Sequence, residues 1–138
     1  MPFFLRWPEK IPAGTQSNHL LAFADVFANF AELAGQPNLP DSTAENSVIF
    51  APILFDPGGD HPRRAPILHG EKVIRDGDWK LLNTKESRLC TADPNLKYDI
   101  ALYNLQKDLE EKINFANSMP EEVEERQGKI RSLLGDKP

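Results

Sequence analysis

The chain has 138 residues, 40% of them hydrophobic and 27% charged, which is typical of an ordinary globular protein of one domain's length. Its net charge of −5 argues against a nucleic acid partner, because nucleic-acid-binding domains are usually basic. No apolar run approaches the ~20 residues that span a bilayer, so we expect no membrane partner. The single cysteine, Cys90, excludes an internal disulfide.

The N-terminal part of the chain predicts one strand and one helix. Phe3–Trp7 is a run of bulky side chains ended by Pro8, and this predicts a short strand. A helix is predicted over Val26–Ala34, with Asp25 as its N-cap and Gly35 as its C′ residue. We expect its apolar face to pack against a core; that face consists of Val26, Phe27, Phe30, Leu33 and Ala34.

The middle of the chain predicts an antiparallel sheet. Val73–Leu82 contains two alternating apolar and polar runs joined by Asp76-Gly77, which is the strongest short signature of a β-hairpin. Ile67-Leu68 and Leu102–Leu105 predict further short strands.

The last element is the clearest predicted helix. Ser118 as N-cap and Glu121 at N3 form a capping box, Pro120 lies in the first turn, and Gly135 ends the helix. Its apolar stripe consists of Val123, Ile130, Leu133 and Leu134. The sequence therefore predicts an α+β fold, with this C-terminal helix packed on a small antiparallel sheet.

The charged and nucleophilic residues do not assemble into an active site. Seven Arg or Lys lie between His61 and Cys90, and they either face an anionic ligand or, as we favour, solvate the outer face of the sheet. His19, His61 and His69 lack the spacing of a zinc site, and Cys90 has no base beside it. We therefore predict no catalytic and no metal-binding residue.

Two segments in the first half of the chain match known sequence patterns. Pro2–Gly14 is similar to "V-P-F-I-V-R-W-P-G-K-I-P-A-G". Asp25–Gly35 is similar to "D-L-L-P-T-L-A-E-L-A-G", with Ala28-Asn29 in place of Pro-Thr.

Two segments in the second half continue the same order. Arg75–Leu81 is similar to "R-D-G-x-W-K-L". Leu102–Asp108 with Asn114–Ala116 is similar to "L-Y-D-L-x-x-D-P-x-E-x-x-N-L-A", with Leu109 in place of Pro. Taken together, the four segments resemble the C-terminal third of type I sulfatases of the arylsulfatase family.

The resemblance implies a piece of a sulfuric ester hydrolase of the alkaline phosphatase superfamily. It implies that residues 1–55 are the strand, loop and helix at the end of the sulfatase α/β domain, and that residues 56–138 are the C-terminal subdomain. The implied parent acts on a sulfated small molecule or glycan and is periplasmic or secreted.

The family's cofactors are calcium and a formylglycine made from Cys or Ser in a C/S-x-P-S-R motif. Cys90 is followed by Thr91, Ala92 and Asp93, so it is not that residue, and the calcium ligands have no matching position here. The chain is expected to begin downstream of the catalytic residues, so we expect no cofactor in it and no hydrolysis by the chain alone.

The resemblance leaves a substrate-binding role open. His69 is similar in position to the histidine of a "W-E-H"-like stretch, and with Arg63 and Arg64 it is predicted to contact the substrate. One alternative is a non-catalytic module that binds an anionic glycan through these three residues and Lys72. Another is the tail of a related phosphodiesterase or phosphonate hydrolase.

Without the rest of such a parent, apolar residues near the N-terminus would be exposed. We therefore expect self-association through the N-terminal strand and helix. The residues concerned are Phe3, Phe4, Leu5, Trp7, Phe27 and Phe30.

Overall fold

The structure, a computed structural model, describes residues 3–40, 43–44, 47–62, 64–83 and 99–135. It divides into two compact units, Met1–Arg64 and Ala65–Pro138. The predicted boundary after residue 55 stays a prediction. The elements are α1 (Asp25–Leu33), α2 (Ala51–Phe55), β1 (Ile67–His69), β2 (Val73–Asp76), β3 (Trp79–Leu82), β4 (Ala101–Asn104) and α3 (Pro120–Leu134).

The second unit is built on a four-stranded antiparallel sheet in the order β1-β2-β3-β4. The hairpin prediction is confirmed, but its turn lies one residue further on, because Asp76 pairs with Trp79 and the loop is Gly77-Asp78. Gly77 has φ 57°, whereas Asp78 does not have a positive φ. This is the pattern of a type II′ turn, in which glycine takes the first central position.

One face of the sheet carries the main core. Ile74, Leu81 and Leu102 are fully buried and pack with Val123 and Ile130 of α3. The opposite face buries a smaller cluster, which consists of Val73, Leu82, Ala101 and Tyr103. The predicted α+β fold, a small antiparallel sheet with a packed C-terminal helix, is confirmed.

The outer edge of β4 is covered by the segment that follows it. The Leu102 amide donates to Asn114 Oδ1 (2.9 Å), and the Phe115 amide donates to the Leu102 carbonyl (2.8 Å). The Asn114 amide group also donates to the Ile100 carbonyl (3.3 Å). These bonds satisfy backbone groups that an open edge strand would leave available for pairing with another chain.

Helix α3 ends as predicted, but it begins one residue later than the predicted N-cap implies. Pro120 is the first helical residue, and Gly135, with φ 65°, follows the last. The predicted capping box is wrong, because the N-cap residue is Met119 and the Ser118 hydroxyl donates to the Phe115 carbonyl (3.1 Å) instead. Leu133, a member of the predicted apolar stripe, is exposed.

In the first unit, the polar face of helix α1 is buried and its apolar face is exposed, which is the opposite of the usual arrangement. In α1 the buried residues are Asp25 and Asn29, whereas Phe27 and Phe30 are exposed. The apolar face of α1 therefore does not pack against a core within this unit, and Phe27 and Phe30 are exposed as expected for a chain without the rest of a parent. The reason is that the polar face makes specific bonds to the backbone of residues 48–51 and to Arg64.

Asn29 makes the bonds to the backbone. Its Oδ1 accepts from the amides of Phe50 (2.6 Å) and Ala51 (2.8 Å), and its amide group donates to the carbonyls of Asp25 (2.7 Å) and Val48 (2.9 Å). The side chain thus uses both donor hydrogens and both acceptor positions. It also supplies the partner for the amides that open α2.

Asp25 is not an N-cap, contrary to prediction. Its carboxylate accepts from the Ala22 amide (2.8 Å), which precedes the helix, and from the Val48 amide (2.9 Å). The same two oxygens accept from Arg64, through Nε at 2.8 Å and Nη2 at 2.6 Å. Burial alone would raise the pKa of Asp25, but the bonds to Arg64, Ala22 and Val48 together hold it below its usual value.

The N-terminal strand is not formed, since residues 3–7 carry no regular secondary structure. A strand needs a neighbouring strand for its backbone bonds, and every strand in the described ranges belongs to the second unit. Phe3 instead meets Phe50 edge-on with ring centroids 6.2 Å apart, and Trp7 lies 6.3 Å from Phe55.

We predict that Leu81→Ala destabilises the second unit by about 3 kcal/mol, because it leaves a cavity in the fully buried side of the sheet. The measurement is urea unfolding followed by circular dichroism. The control is Leu109→Ala, which removes a side chain that is 79% exposed and should change stability by less than about 0.5 kcal/mol. Equal effects of the two changes would contradict the assigned core.

We predict that acid destabilises the first unit through Asp25. Because the folded-state pKa is lowered, its contribution to stability is full above the ordinary value of 3.8 and is lost as the pH falls toward the lower folded value. Asp25→Asn should remove this part of the pH dependence and cost about 3 kcal/mol at neutral pH, since the buried ion pair with Arg64 is lost. Thermal unfolding between pH 7 and pH 3 measures both effects, and an unchanged pH profile in the variant would contradict them.

Candidate functional site

The residues predicted to contact a substrate fall in different parts of the structure. Arg63 lies outside the described residues. Arg64 belongs to the first unit and His69 to the second. The substrate-binding role of all three therefore stays a prediction, and its support differs from residue to residue.

Arg64 is held in a buried ion pair. Its guanidinium forms two parallel bonds with the Asp25 carboxylate, and the side chains are 5% and 1% exposed. Such a two-point pair fixes the orientation of both groups. Arg64 therefore orders the first unit, and the carboxylate balances its charge.

His69 is the last residue of β1 and is exposed. Partial burial, and then the positive charge of Lys80, lower the pKa of His69 below its usual value of 6.5. The lowered pKa favours the neutral form of the imidazole at neutral pH. In this form the imidazole can donate or accept a hydrogen bond, but it does not offer a positive charge to a sulfate group.

The basic residues on the sheet are less solvated than we expected. Arg75 of β2 lies directly opposite Lys80 of β3, and Lys80 lies opposite Tyr103 of β4. Lys80 forms a 2.7 Å ion pair with Glu111, and both side chains are nearly buried. The prediction that the basic residues of this region lie on the solvated outer face of the sheet is wrong for Lys80, because Glu111 balances its charge inside the unit.

A second ion-pair cluster joins α3 to the end of β2. The Lys129 ammonium donates to Asp76 (2.7 Å) and to Glu125 (2.6 Å), and these bonds raise the pKa of Lys129. Buried Arg126 bonds Glu122 and lies over the ring of Trp79, 5.5 Å from its centroid. These contacts hold the helix on the sheet.

The first unit contains a cavity of about 310 Å³ that sequence reasoning missed. Its walls are mostly apolar, and His19 and His61 stand among its lining residues with ring centroids 6.3 Å apart. His19 Nε2 lies 3.0 Å from the Pro62 carbonyl, and His61 Nε2 lies 2.6 Å from the Asp56 carbonyl. Because a carbonyl only accepts, Nε2 carries the hydrogen in both rings and leaves Nδ1 as an acceptor in each neutral imidazole.

No sequence signal pointed to this pair of histidines. They are more than forty residues apart and lie in irregular segments, so no periodicity brings them together. The cavity has mostly apolar walls, and the two histidines are among its polar lining residues. It resembles a small binding pocket more than a catalytic centre.

The described ranges hold no group of three or more His, Cys, Asp or Glu arranged to bind a metal ion. Cys90 lies outside those ranges. Within the same ranges, no helix is long and apolar enough to span a bilayer.

Comparison with curated proteins finds two relatives. One is an N-acetylgalactosamine-6-O-sulfatase of Bacteroides thetaiotaomicron, 30% identical over 96% of this chain. The other is an ulvan-active sulfatase of Formosa agariphila, 30% identical over 86% of this chain. The chain spans 27% and 29% of the length of these two relatives.

Solved structures agree with these relatives. A sulfatase studied in the metabolism of multiple glycosaminoglycans by Bacteroides thetaiotaomicron superposes with a TM-score of 0.71 at 27% identity, over 93% of this chain and 28% of that one. The crystal structure of Ps i-CgsB shares the fold with a TM-score of 0.58 at 22% identity, over 90% of this chain and 27% of that one.

No protein-family model matches the chain. The resemblance of its four sequence segments, the two curated relatives and the superposition on a sulfatase agree. The chain is therefore homologous to sulfatases along most of its length, and it spans little more than a quarter of the length of the curated relatives that it matches.

Proposed function

We propose that this chain is the C-terminal portion of a sulfatase that removes sulfate esters from a glycan. The observation that carries the proposal is 30% identity to two sulfatases, one named for N-acetylgalactosamine-6-O-sulfate and one for ulvan, over nearly the whole chain. Both substrates named in this way are sulfated sugars, which supports a glycan as the substrate class. Neither relative is named as a phosphodiesterase, a phosphonate hydrolase or a binding module.

In this proposal, residues 1–55 complete the edge of the α/β domain and residues 56–138 form the C-terminal subdomain. The exposed aromatic face of α1 supports the first assignment, because such a face is normally covered by other parts of a fold. The compact α+β arrangement of the second unit supports the second assignment.

Several side chains of the segments that resemble sulfatases stabilise the fold of this chain. Asp25 fixes Arg64 and Val48, and Asn114 covers the edge of β4. Asn104 is buried, and its Oδ1 accepts from the amides of Gln106 and Lys107 after β4. The common role of these side chains is to satisfy backbone groups at bends and edges, which is the contribution of a supporting subdomain.

Catalysis in the intact protein would use the formylglycine and calcium of a sulfatase. The formylglycine supplies the nucleophile that attacks sulfur, and calcium stabilises the charge of the sulfate oxygens. The described residues do not fit a calcium site, since none of their acidic side chains gather in a group that could hold a metal ion. Both groups would therefore be held by residues outside the described ranges.

We also propose that the substrate rim of the intact protein includes His69, with Arg63 and Arg64 near it in sequence. The exposed, neutral imidazole of His69 suits a hydrogen bond to a sugar hydroxyl. The buried pair with Asp25 makes Arg64 suited to position its neighbours and not to meet the substrate itself.

We predict that the purified 138-residue chain does not hydrolyse an aryl sulfate above the uncatalysed rate. Activity should appear when the chain replaces the matching segment of the Bacteroides N-acetylgalactosamine-6-O-sulfatase in a chimera, assayed on a 6-O-sulfated N-acetylgalactosamine substrate. The control is the same relative with that segment deleted. A chimera without a cooperative thermal transition, or a folded chimera without activity, would contradict the proposal, as would chelator-sensitive hydrolysis by the chain alone.

We predict that His69→Ala in this chimera raises KM about fivefold and leaves kcat within about twofold, since one hydrogen bond is worth about 1 kcal/mol. His69→Gln should restore most of the affinity because glutamine can also donate and accept. KM should not change between pH 7 and pH 8, because the lowered pKa favours the neutral imidazole throughout this range. A KM that rises with pH over this range, or an unchanged KM in His69→Ala, would count against the rim assignment.

A further inference from the structure

The face of the sheet that carries His69 also carries two positively charged side chains. His69 of β1 lies opposite Val73 of β2, and Val73 lies opposite Leu82 of β3. Arg75 and Lys80 occupy the next same-face positions on β2 and β3, and they lie directly opposite each other. Because every second residue of a strand points to the same face, His69, Arg75 and Lys80 share the face of the smaller core cluster.

Lys80 is held in place on this face by Glu111. The ammonium lies 2.7 Å from a carboxylate oxygen of Glu111, and the two side chains are 13% and 6% exposed. Glu111 reaches this position with φ 57°, in the left-handed region that residues other than glycine rarely adopt. Such a backbone conformation persists only where the surroundings impose it. The Lys80 charge is therefore confined to one place on the sheet.

The confined charge disfavours a second positive charge on the imidazole of His69. Like charges on one face of a sheet repel each other, and salt and water screen the repulsion less where the charges are partly buried. The pKa of His69 is lowered first by its partial burial and then by the positive charge of Lys80. Both causes act in the same direction, so the neutral imidazole stays favoured in weakly acidic solution.

Other titratable groups share this face or the turn beside His69. They include Arg75 of β2, Tyr103 of β4, Glu71 and Lys72 of the turn after β1, and Glu111 of the segment after β4. Glu71 and Lys72 are adjacent and opposite in charge, so their effects at a distance largely cancel. Glu111 opposes the effect of Lys80, and its removal would leave the positive charge of Lys80 less balanced.

We propose that Lys80, held by Glu111, is a positioning residue of the substrate rim and keeps the imidazole of His69 neutral. The proposal rests on the rim role of His69 under the proposed function and deepens it. A neutral imidazole can both donate to and accept from a sugar hydroxyl, whereas a protonated one only donates and would attract a sulfate group. Lys80 thus favours recognition of a hydroxyl over recognition of the sulfate at this position.

The test is an NMR titration of His69 in the whole chain between about pH 4.5 and about pH 8, with His69→Gln to assign the signal. Lys80→Met removes the charge and keeps most of the aliphatic stem, so it should raise the measured pKa of His69. Lys80→Arg keeps the charge and should leave this pKa as it is in the original chain. Glu111→Gln should lower it. The titration needs no enzymatic activity, so it can fail independently of the proposed sulfatase function.

The opposite directions separate this electrostatic role from a structural one. If the pair only stabilised the sheet, Lys80→Met and Glu111→Gln would both admit water to His69 and raise its pKa toward 6.5. Should Lys80→Met not fold, the direction in Glu111→Gln decides the question.

The matched control is Lys112→Met, which removes a lysine next to Glu111 in the chain whose side chain is 72% exposed. This variant should leave the pKa of His69 unchanged. The proposal would be overturned by a pKa that does not rise in Lys80→Met, by one that does not fall in Glu111→Gln, or by one that rises in Lys80→Arg. A control that shifts this pKa as far as Lys80→Met would overturn it as well.

Discussion

The buried contact between Asp25 and Arg64, continued by Asn29, is the interaction on which the first unit depends. The Asp25 carboxylate accepts four hydrogen bonds, and Asn29 forms four more one helical turn further on. Removing any one member would break several of these buried hydrogen bonds, at a cost of about 1–3 kcal/mol for each neutral group left unsatisfied and more for a charge. This network takes the place of an extensive apolar core and fixes which face of α1 meets solvent.

The second unit is stabilised by different interactions from those of the first. Its sheet has an apolar core on the side of α3, and ion pairs such as Lys129 with Asp76 tie the helix to the end of β2. Yet its boundaries rely on the same device as the first unit, since Asn104 and Asn114 satisfy backbone groups at the end and the edge of β4. In the segments that resemble sulfatases, short polar side chains thus form hydrogen bonds that fix the backbone.

Much of the fold could be predicted because its signals are local. The hairpin, the start of α3 at Pro120 and the glycine that ends α1 all follow from residues within a few positions of each other. At the end of α1, the Gly35 amide donates to the Glu32 carbonyl and the Gln36 amide to the Ala31 carbonyl, as in a Schellman motif.

What could not be predicted depends on partners far apart in the chain. Its position before an apolar run predicts that Asp25 is an N-cap, because nothing local indicates its partner Arg64, which is 39 residues away. The exposure of Phe27 and Phe30 follows from the expectation for a chain without the rest of a parent, whereas nothing in the amphipathic pattern of α1 indicates that Asp25 and Asn29 are buried. The pairing of His19 with His61 and that of Lys80 with Glu111 could not be predicted either, because these residues are far apart in the chain. The resemblance to sulfatases could be recognised because its four segments keep their order along the chain.

The central claim is that the polar face of α1 anchors this helix to the backbone of residues 48–51. Amide hydrogen exchange, measured by NMR on the whole chain at neutral pH, tests it most directly. Protection of the Val48, Phe50 and Ala51 amides by at least about 100-fold over an unstructured peptide is the predicted result, because each donates to a buried side-chain oxygen. Exchange of these amides at the rates of an unstructured peptide would contradict the account.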